Sequence, residues 1–256
     1  MEETKEKILE FWSHKNSQGN EGKLVTHGDI QQVNIEISLI SSLIKATDKL
    51  LDIGCGNGFS TDIYAQKCET AVGLDYSTAM VASANKAFNT PKLYFIEGNV
   101  LHLDKQIGTF SLINSTRCLI NLSSWEEQMT ALQKLHALLE PGGRLILSEG
   151  TLQGREQLNG LRKSLGLEEM PKVWHNLDFD EEKLFPFLSE RFEIKQDIRL
   201  GLYDVLVRAY YPSGIAPEPC QYGTNFQVAA RKLYEQMDRN TFREYSKMFI
   251  LELIKK

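Results

Sequence analysis

The chain has no stretch approaching the roughly 20 apolar residues that a membrane-spanning helix requires. Its first residues, Met1-Glu2-Glu3-Thr4-Lys5-Glu6-Lys7, mix charges and lead into no apolar run, so no export signal is expected there. Cysteine is scarce: Cys55, Cys68, Cys118 and Cys220 are scattered and form no C-x-x-C pair. That pattern excludes a thiolate zinc motif and points to reduced thiols. No His/Asp/Glu spacing resembles a metal site, so no metal is expected. Positive charge is not in excess either. The 29 Lys and Arg residues are outnumbered by 34 Asp and Glu, a net charge of -5, which argues against a phosphate-tracking surface. The expectation is a cytoplasmic globular protein that engages neither membrane nor nucleic acid.

What the 256 residues do contain is an alternation of strand-like and helix-like patterns, in a length that suits one large domain. Ile8, Leu9, Phe11 and Trp12 suggest a short amphipathic helix, and the polar stretch from Ser13 to Gly28 reads as a loop. A helical pattern runs through Ile30, Val33, Ile35, Ile37, Leu39, Ile40 and Leu43. From Lys49 the spacing predicts strands at Lys49–Ile53, Thr70–Leu74, Lys92–Ile96, Phe110–Asn114 and Arg144–Ser148. Helices fit between them at Ser60–Lys67, Thr78–Phe88 and Trp125–Leu139, the last stopped by Pro141-Gly142-Gly143. Alternation of this kind implies a doubly wound parallel sheet. Gly150 to about Asp180 reads as irregular. A helix at Glu181–Ser189, a strand at Phe192–Leu200, a helix at Phe226–Met237 and a strand at Met248–Ile254 follow. Tyr203–Tyr211 is ambiguous, and Pro212 to Gly223 reads as a loop.

The most informative segment is Leu50-Leu51-Asp52-Ile53-Gly54-Cys55-Gly56-Asn57-Gly58. An apolar strand enters a Gly-x-Gly-x-Gly turn that opens a helix. Glycine is needed where backbone turns tightly or lies against a ligand. The helix start offers free N–H groups and a positive dipole end. Asp75 closes the next strand, where a carboxylate can accept from both hydroxyls of a ribose. A dinucleotide site prefers Gly-x-Gly-x-x-Gly. Here Asp52 precedes the first glycine by two residues, which suits a cationic ligand better than a pyrophosphate.

Asp52-x-Gly54-x-Gly56-x-Gly58 resembles the first motif of class I S-adenosylmethionine-dependent methyltransferases, and Asp75 matches the family's ribose-binding acid. Gly98-Asn99-Val100 resembles its adenine-reading motif, with asparagine where aspartate is common. Leu138 to Leu145 resembles the turn before its fifth strand. The resemblance implies a Rossmann-like α/β fold: a doubly wound, seven-stranded, mostly parallel sheet with an antiparallel last strand. It implies S-adenosyl-L-methionine as cofactor, with Tyr76, Asn99, Val100 and Ser115 joining the motif residues around it. It also implies one domain over residues 1–256. N-terminal lid helices fall at 1–45, the cofactor-binding core at 46–149, and substrate-cap insertions at 150–190 and 201–245. Ser115 to Leu122 with Trp174-His175-Asn176 bears a looser likeness to a bacterial subgroup that methylates small molecules and glycans.

The substrate side should lie beyond the carboxyl ends of the strands. Ser115, Thr116 and Arg117 follow the fourth strand, Glu149 ends the fifth, and the insertion from Gly150 carries Arg155, Arg162, Trp174 and His175. His175 is the first candidate for general base, because histidine titrates near neutral pH. Glu149 is the second. Arg117 could grip an anionic or hydroxylated acceptor, and Trp174 could offer a flat wall. Trp12 could close the site against water. His27, His102 and His136 are expected to be structural. A small-molecule acceptor, methylated on oxygen, is the leading expectation. Methylation of a protein or RNA, or a non-catalytic cofactor-binding scaffold, are the alternatives.

Overall fold

The computed structural model describes residues 7, 8, 10–12, 14, 28–216 and 223–256. His27, Cys220 and most of the expected loop between Ser13 and Gly28 lie outside these residues. Seven strands, β1 (Lys49–Ile53), β2 (Thr70–Asp75), β3 (Leu93–Glu97), β4 (Phe110–Thr116), β5 (Leu139–Gly150), β6 (Phe192–Arg199) and β7 (Met248–Lys255), form one sheet. Their order is β3-β2-β1-β4-β5-β7-β6. Pairing is parallel from β3 through β5, and β7 runs antiparallel to both β5 and β6.

Eight helical segments are named here. They are α1 (Ile30–Leu43), α2 (Phe59–Ala65), α3 (Thr78–Phe88), α4 (Trp125–Leu138), α5 (Leu152–Ser164), α6 (Glu181–Ser189), α7 and α8 (Asn225–Gln236). The seventh, α7, is a continuous run of Gly201–Val205, Leu206–Tyr210 and Tyr211–Gly214 whose middle is a π turn. Polar caps start most of them. Asp29, Ser77, Ser124, Thr151, Asp180 and Thr224 each accept from a backbone N–H in the first turn.

Strand alternation divides the core. Leu50 joins the apolar layer containing Ile40, Tyr64 and Ala84, while Leu51 and Ile53 join the layer containing Leu132 and Leu184. Helices therefore cover both faces of the sheet, as buried parallel strands require. Among the described residues no helix is long and apolar enough to cross a membrane.

Two stretches depart from expectation. The segment read as irregular contains the 13-residue helix α5. Only Gly154 and Leu158 are buried along it, so its apolar stripe is too narrow to read as a helix. The Gly150–Asp180 expectation is corrected accordingly. Gly154 is there for packing, since a Cβ would sit 1.7 Å from the Ser246 carbonyl oxygen. The ambiguous Tyr203–Tyr211 falls within α7, which also takes in Pro212 from the expected loop, while residues 217–222 of that loop are outside the described set.

Candidate active site

The glycine turn after β1 uses left-handed backbone at three positions, with φ of +70° at Gly54, +54° at Gly56 and +81° at Gly58. L-residues are strained there. Added side chains would also collide. A Cβ on Gly54 would lie 2.6 Å from Cys118 Cβ, and one on Gly58 would lie 2.8 Å from Phe95 Cζ. Gly58 is therefore a helix-to-sheet packing glycine and not part of the cavity wall, which Gly54 and Gly56 do line.

Two carboxylates organise this turn. Asp52 is buried at the end of β1. Its oxygens accept from Thr61 Oγ1 of α2 at 2.6 Å and from Asn114 Nδ2 of β4 at 2.7 Å. Asn114 is within reach because it is register partner to Asp52. Burial pushes the Asp52 carboxyl up to about 6, against the pull of those two donors. Asp75 accepts from the Gly56 N–H at 2.8 Å and from the Ser77 N–H at 2.9 Å. Burial raises its carboxyl too.

Beyond the strand ends lies a cavity of about 1260 Å³. Asp52, Asp75, Tyr76, Asn99 and Val100 line one end of it. Asn99 caps a short 3₁₀ turn, its Oδ1 accepting from the Leu101 N–H at 2.9 Å. Arg117 also faces the cavity, held in left-handed backbone at φ +50° and paired with Glu36 at 3.2 Å. Strain of this kind is retained where surrounding structure enforces it, here by the Arg117 N–H on the Ser148 carbonyl at 2.8 Å.

Comparison with known proteins now bears on the glycine turn. Residues 50–143 match the family described as "Methyltransferase domain". The carboxy-S-adenosyl-L-methionine synthase of Chromohalobacter salexigens is 30% identical over 116 residues, 42% of each chain. The ubiquinone biosynthesis O-methyltransferase of Vibrio parahaemolyticus is 28% identical over 138 residues, 53% of this chain and 56% of that one. The chain thus spans about half the length of the curated relatives it matches. The N-methyltransferase NodS of Bradyrhizobium japonicum, solved with S-adenosyl-L-homocysteine, shares the fold with a TM-score of 0.57. It is 14% identical over 96% of this chain and 98% of that one. Residues 50–143 form a class I S-adenosylmethionine-dependent methyltransferase domain.

The methyltransferase domain fits its cofactor on its own geometry. Gly54 and Gly56, the carboxylate of Asp75 at the end of β2 and the pair Asn99 and Val100 stand together along one end of the cavity. Asp75 lines the cavity while its carboxylate accepts from the backbone N–H groups of Ser77, Gly56 and Tyr76. Asp75→Ala is expected to weaken S-adenosylhomocysteine binding by about 1–3 kcal/mol, read by titration calorimetry. An unchanged affinity would remove Asp75 from the cradle.

On the acceptor side the expectations need sorting. His175 lines the cavity, its ring 4.8 Å from Phe11 and 5.5 Å from Trp12. Phe11 and Trp12 line the cavity as well. Trp174 does not. It is 56% exposed and faces a shallow outer depression that includes His14, so its placement as a substrate wall is corrected.

Glu149 is corrected from catalytic candidate to structural clamp. It is fully buried and absent from the cavity lining. Its Oε1 accepts from the N–H groups of Cys118 at 3.1 Å and Leu119 at 2.9 Å, and its Oε2 from Ile120 at 3.3 Å. Ser115 is corrected with it, since its buried hydroxyl donates to Glu149 at 3.1 Å and does not reach the cavity. The pair ties down the segment after β4, which presents Arg117, Cys118, Ile120 and Asn121 to the cavity. His136 is half-buried in α4 against Phe192, rings 5.0 Å apart, and His102 is exposed in the 3₁₀ turn.

Sequence reasoning missed Gln32, Arg208 and Lys247, which also line the cavity. They lie far apart along the chain, and no local pattern singles them out. Among the described residues no group of three or more His, Cys, Asp or Glu could hold a metal ion.

Proposed function

We propose that this chain transfers a methyl group from S-adenosylmethionine to an oxygen of a small-molecule acceptor, with His175 removing the proton. The carrying observation is a single cavity that joins the cofactor cradle to His175. At about 1260 Å³ it exceeds the roughly 300–1,000 Å³ of a one-ligand pocket, which leaves room for two bound molecules. When bound, the cofactor supplies a sulfonium methyl group open to in-line displacement.

The protein's part is positioning and proton transfer. Gly54, Gly56 and Asp75 hold one partner, and the walls from β5 and α5 confine the other. Fixing both can supply roughly 7–11 kcal/mol of the barrier. Phe11 and Trp12 roof His175 with apolar rings, which keeps water from the reacting atoms. An imidazole nitrogen of His175 takes the hydroxyl proton. The similarity to a ubiquinone biosynthesis O-methyltransferase supports oxygen as the nucleophile. The recessed cavity favours a small acceptor over a protein or RNA chain.

The test is a screen of hydroxylated small molecules for release of S-adenosylhomocysteine, repeated with His175→Ala. The variant is expected to lose about 10²-fold or more in kcat with cofactor affinity nearly unchanged. The wild-type rate should rise with pH through a histidine-like titration, and that limb should vanish in the variant. Equal kcat in the two proteins would exclude His175 as the base.

A further inference from the structure

Strand order separates the cavity into two ends. The cofactor cradle sits on β1, β2 and β3. Lys247, just before β7, lies three strands from β1, about 14 Å away at a spacing of ~4.8 Å. Four cations line this far end: Arg155 and Arg162 of α5, Arg208 of α7, and Lys247. Two of them are neutralised. Arg155 Nε meets Asp178 at 2.5 Å, and Arg208 meets Asp29 at 3.0 Å and Asp204 at 3.1 Å.

The other two are not. Among the described residues, Lys247 and Arg162 make no ion pair. Arg162 donates only to the carbonyls of Glu168, at 2.8 Å, and Arg208. The carboxylates of Glu168 and Glu169 lie on the exposed rim, and Glu169 is already paired with Lys163. The root of Lys247 is fixed at both backbone ends, its N–H on Asp204 at 3.1 Å and its carbonyl accepting from the Thr151 N–H at 3.0 Å.

The charged groups facing Lys247 are Arg208 and Asp204 from α7, Asp29 ahead of α1, and Arg155 from α5. Burial, helped by Arg208, brings its ammonium down to about 8. Burial and Arg208 also lower Arg162. Arg208 itself is delivered by the π turn of α7, an element that recurs at functional sites.

We propose that Lys247 and Arg162 form an oxyanion-receiving corner of the acceptor pocket. The acceptor then carries a carboxylate or a phosphate-like group in addition to the atom that is methylated. This rests on the methyl-transfer reading of the cavity. Asp204 and Asp29 act on Lys247 only from beyond ion-pair distance, so an oxyanion supplies the contact partner that Lys247 and Arg162 lack, and it favours the charged form of Lys247.

The probes are sulfate, for a tetrahedral oxyanion, and acetate, for a carboxylate. Each is titrated calorimetrically into the full chain saturated with S-adenosylhomocysteine, at pH about 8.5, in two buffers of different ionisation enthalpy. Neither probe titrates in this range, so proton uptake on binding reports Lys247. One or both anions should bind the wild type at a single site with proton uptake. Lys247→Met should weaken binding about tenfold or more and abolish the uptake. Arg162→Gln should weaken binding and keep the uptake, and it carries the test should Lys247→Met fail to fold.

Three results would overturn the corner: no binding of either anion, equal binding by wild type and both variants, or anions that compete with S-adenosylhomocysteine. Failure of S-adenosylhomocysteine itself to bind would overturn the methyl-transfer reading instead. The anion titration repeated without it would still decide the corner.

Discussion

Glu149→Ala is expected to destabilise the fold by about 3 kcal/mol or more. The substitution strands the N–H groups of Cys118, Leu119 and Ile120 around a fully buried carboxylate position. Each buried donor left without an acceptor costs about 1–3 kcal/mol, against a total stability for a domain of roughly 5–15 kcal/mol. The freed segment also packs Cys118 over Gly54, so cofactor affinity should fall together with stability.

Glu149→Gln keeps one acceptor oxygen but sets an amide N–H against that of Ile120, so a smaller loss is expected. The pH dependence separates charge from shape. Burial raises the Glu149 carboxyl from the ordinary 4.5 to about 7 in the folded state. A raised acid contributes most below the unfolded value, and its contribution is lost as pH rises through the folded one. The wild-type advantage over Glu149→Gln should therefore narrow between pH 4.5 and 7, as read by urea denaturation at several pH values. Asp52, raised to about 6, acts in the same direction in both proteins and cancels in the comparison. A constant advantage across that range would refute the sign.

Gly56→Val should weaken S-adenosylhomocysteine binding by more than about 100-fold while the helix content stays near wild type. The position has φ +54°, and a β-branched residue there costs about 1–3 kcal/mol in backbone strain alone. Relief of that strain would move the Gly56 N–H off Asp75 and disturb the acid at the end of β2. Any side chain would also stand on the cavity wall where ligand must approach. Gly56 lies in the turn after β1, outside the strands themselves, so the sheet should survive. Calorimetric titration and circular dichroism together check both halves, and near-native affinity in the variant would reject the role given to this turn.

The sheet was legible because its strands are apolar runs separated by clear stops. Lys49–Ile53 and Thr78–Phe88 fall where their patterns place them. The glycine turn was legible because glycine and aspartate sit at fixed local spacing around it. Where a side chain points once the strand ends is another matter. Ser115, Glu149 and Trp174 each stand in a segment that reaches the cavity, yet two turn into the core and one turns outward. Local sequence does not carry that choice, which is set by the three N–H groups that happen to converge on Glu149. Helix α5 escaped notice because a helix covered by little else than Leu158 has almost no period to detect. Lys247, Arg162 and Arg208 come from three separate elements, and only the sheet order brings them to one wall.

The placement of β7 also sets an order of assembly. Among the described residues β6 has no neighbour in the sheet except β7, although it is translated well before it. Until β7 threads between β5 and β6, both carry an open edge, and pairing of that kind between distant segments is slow. The same event brings in Lys247, the residue just ahead of β7. A nascent or truncated chain lacking this strand can already have a complete glycine turn and β1–β4, yet its cavity would lack Lys247 and Met248. The glycine turn and the wall at Lys247 are thus completed at different points along the chain.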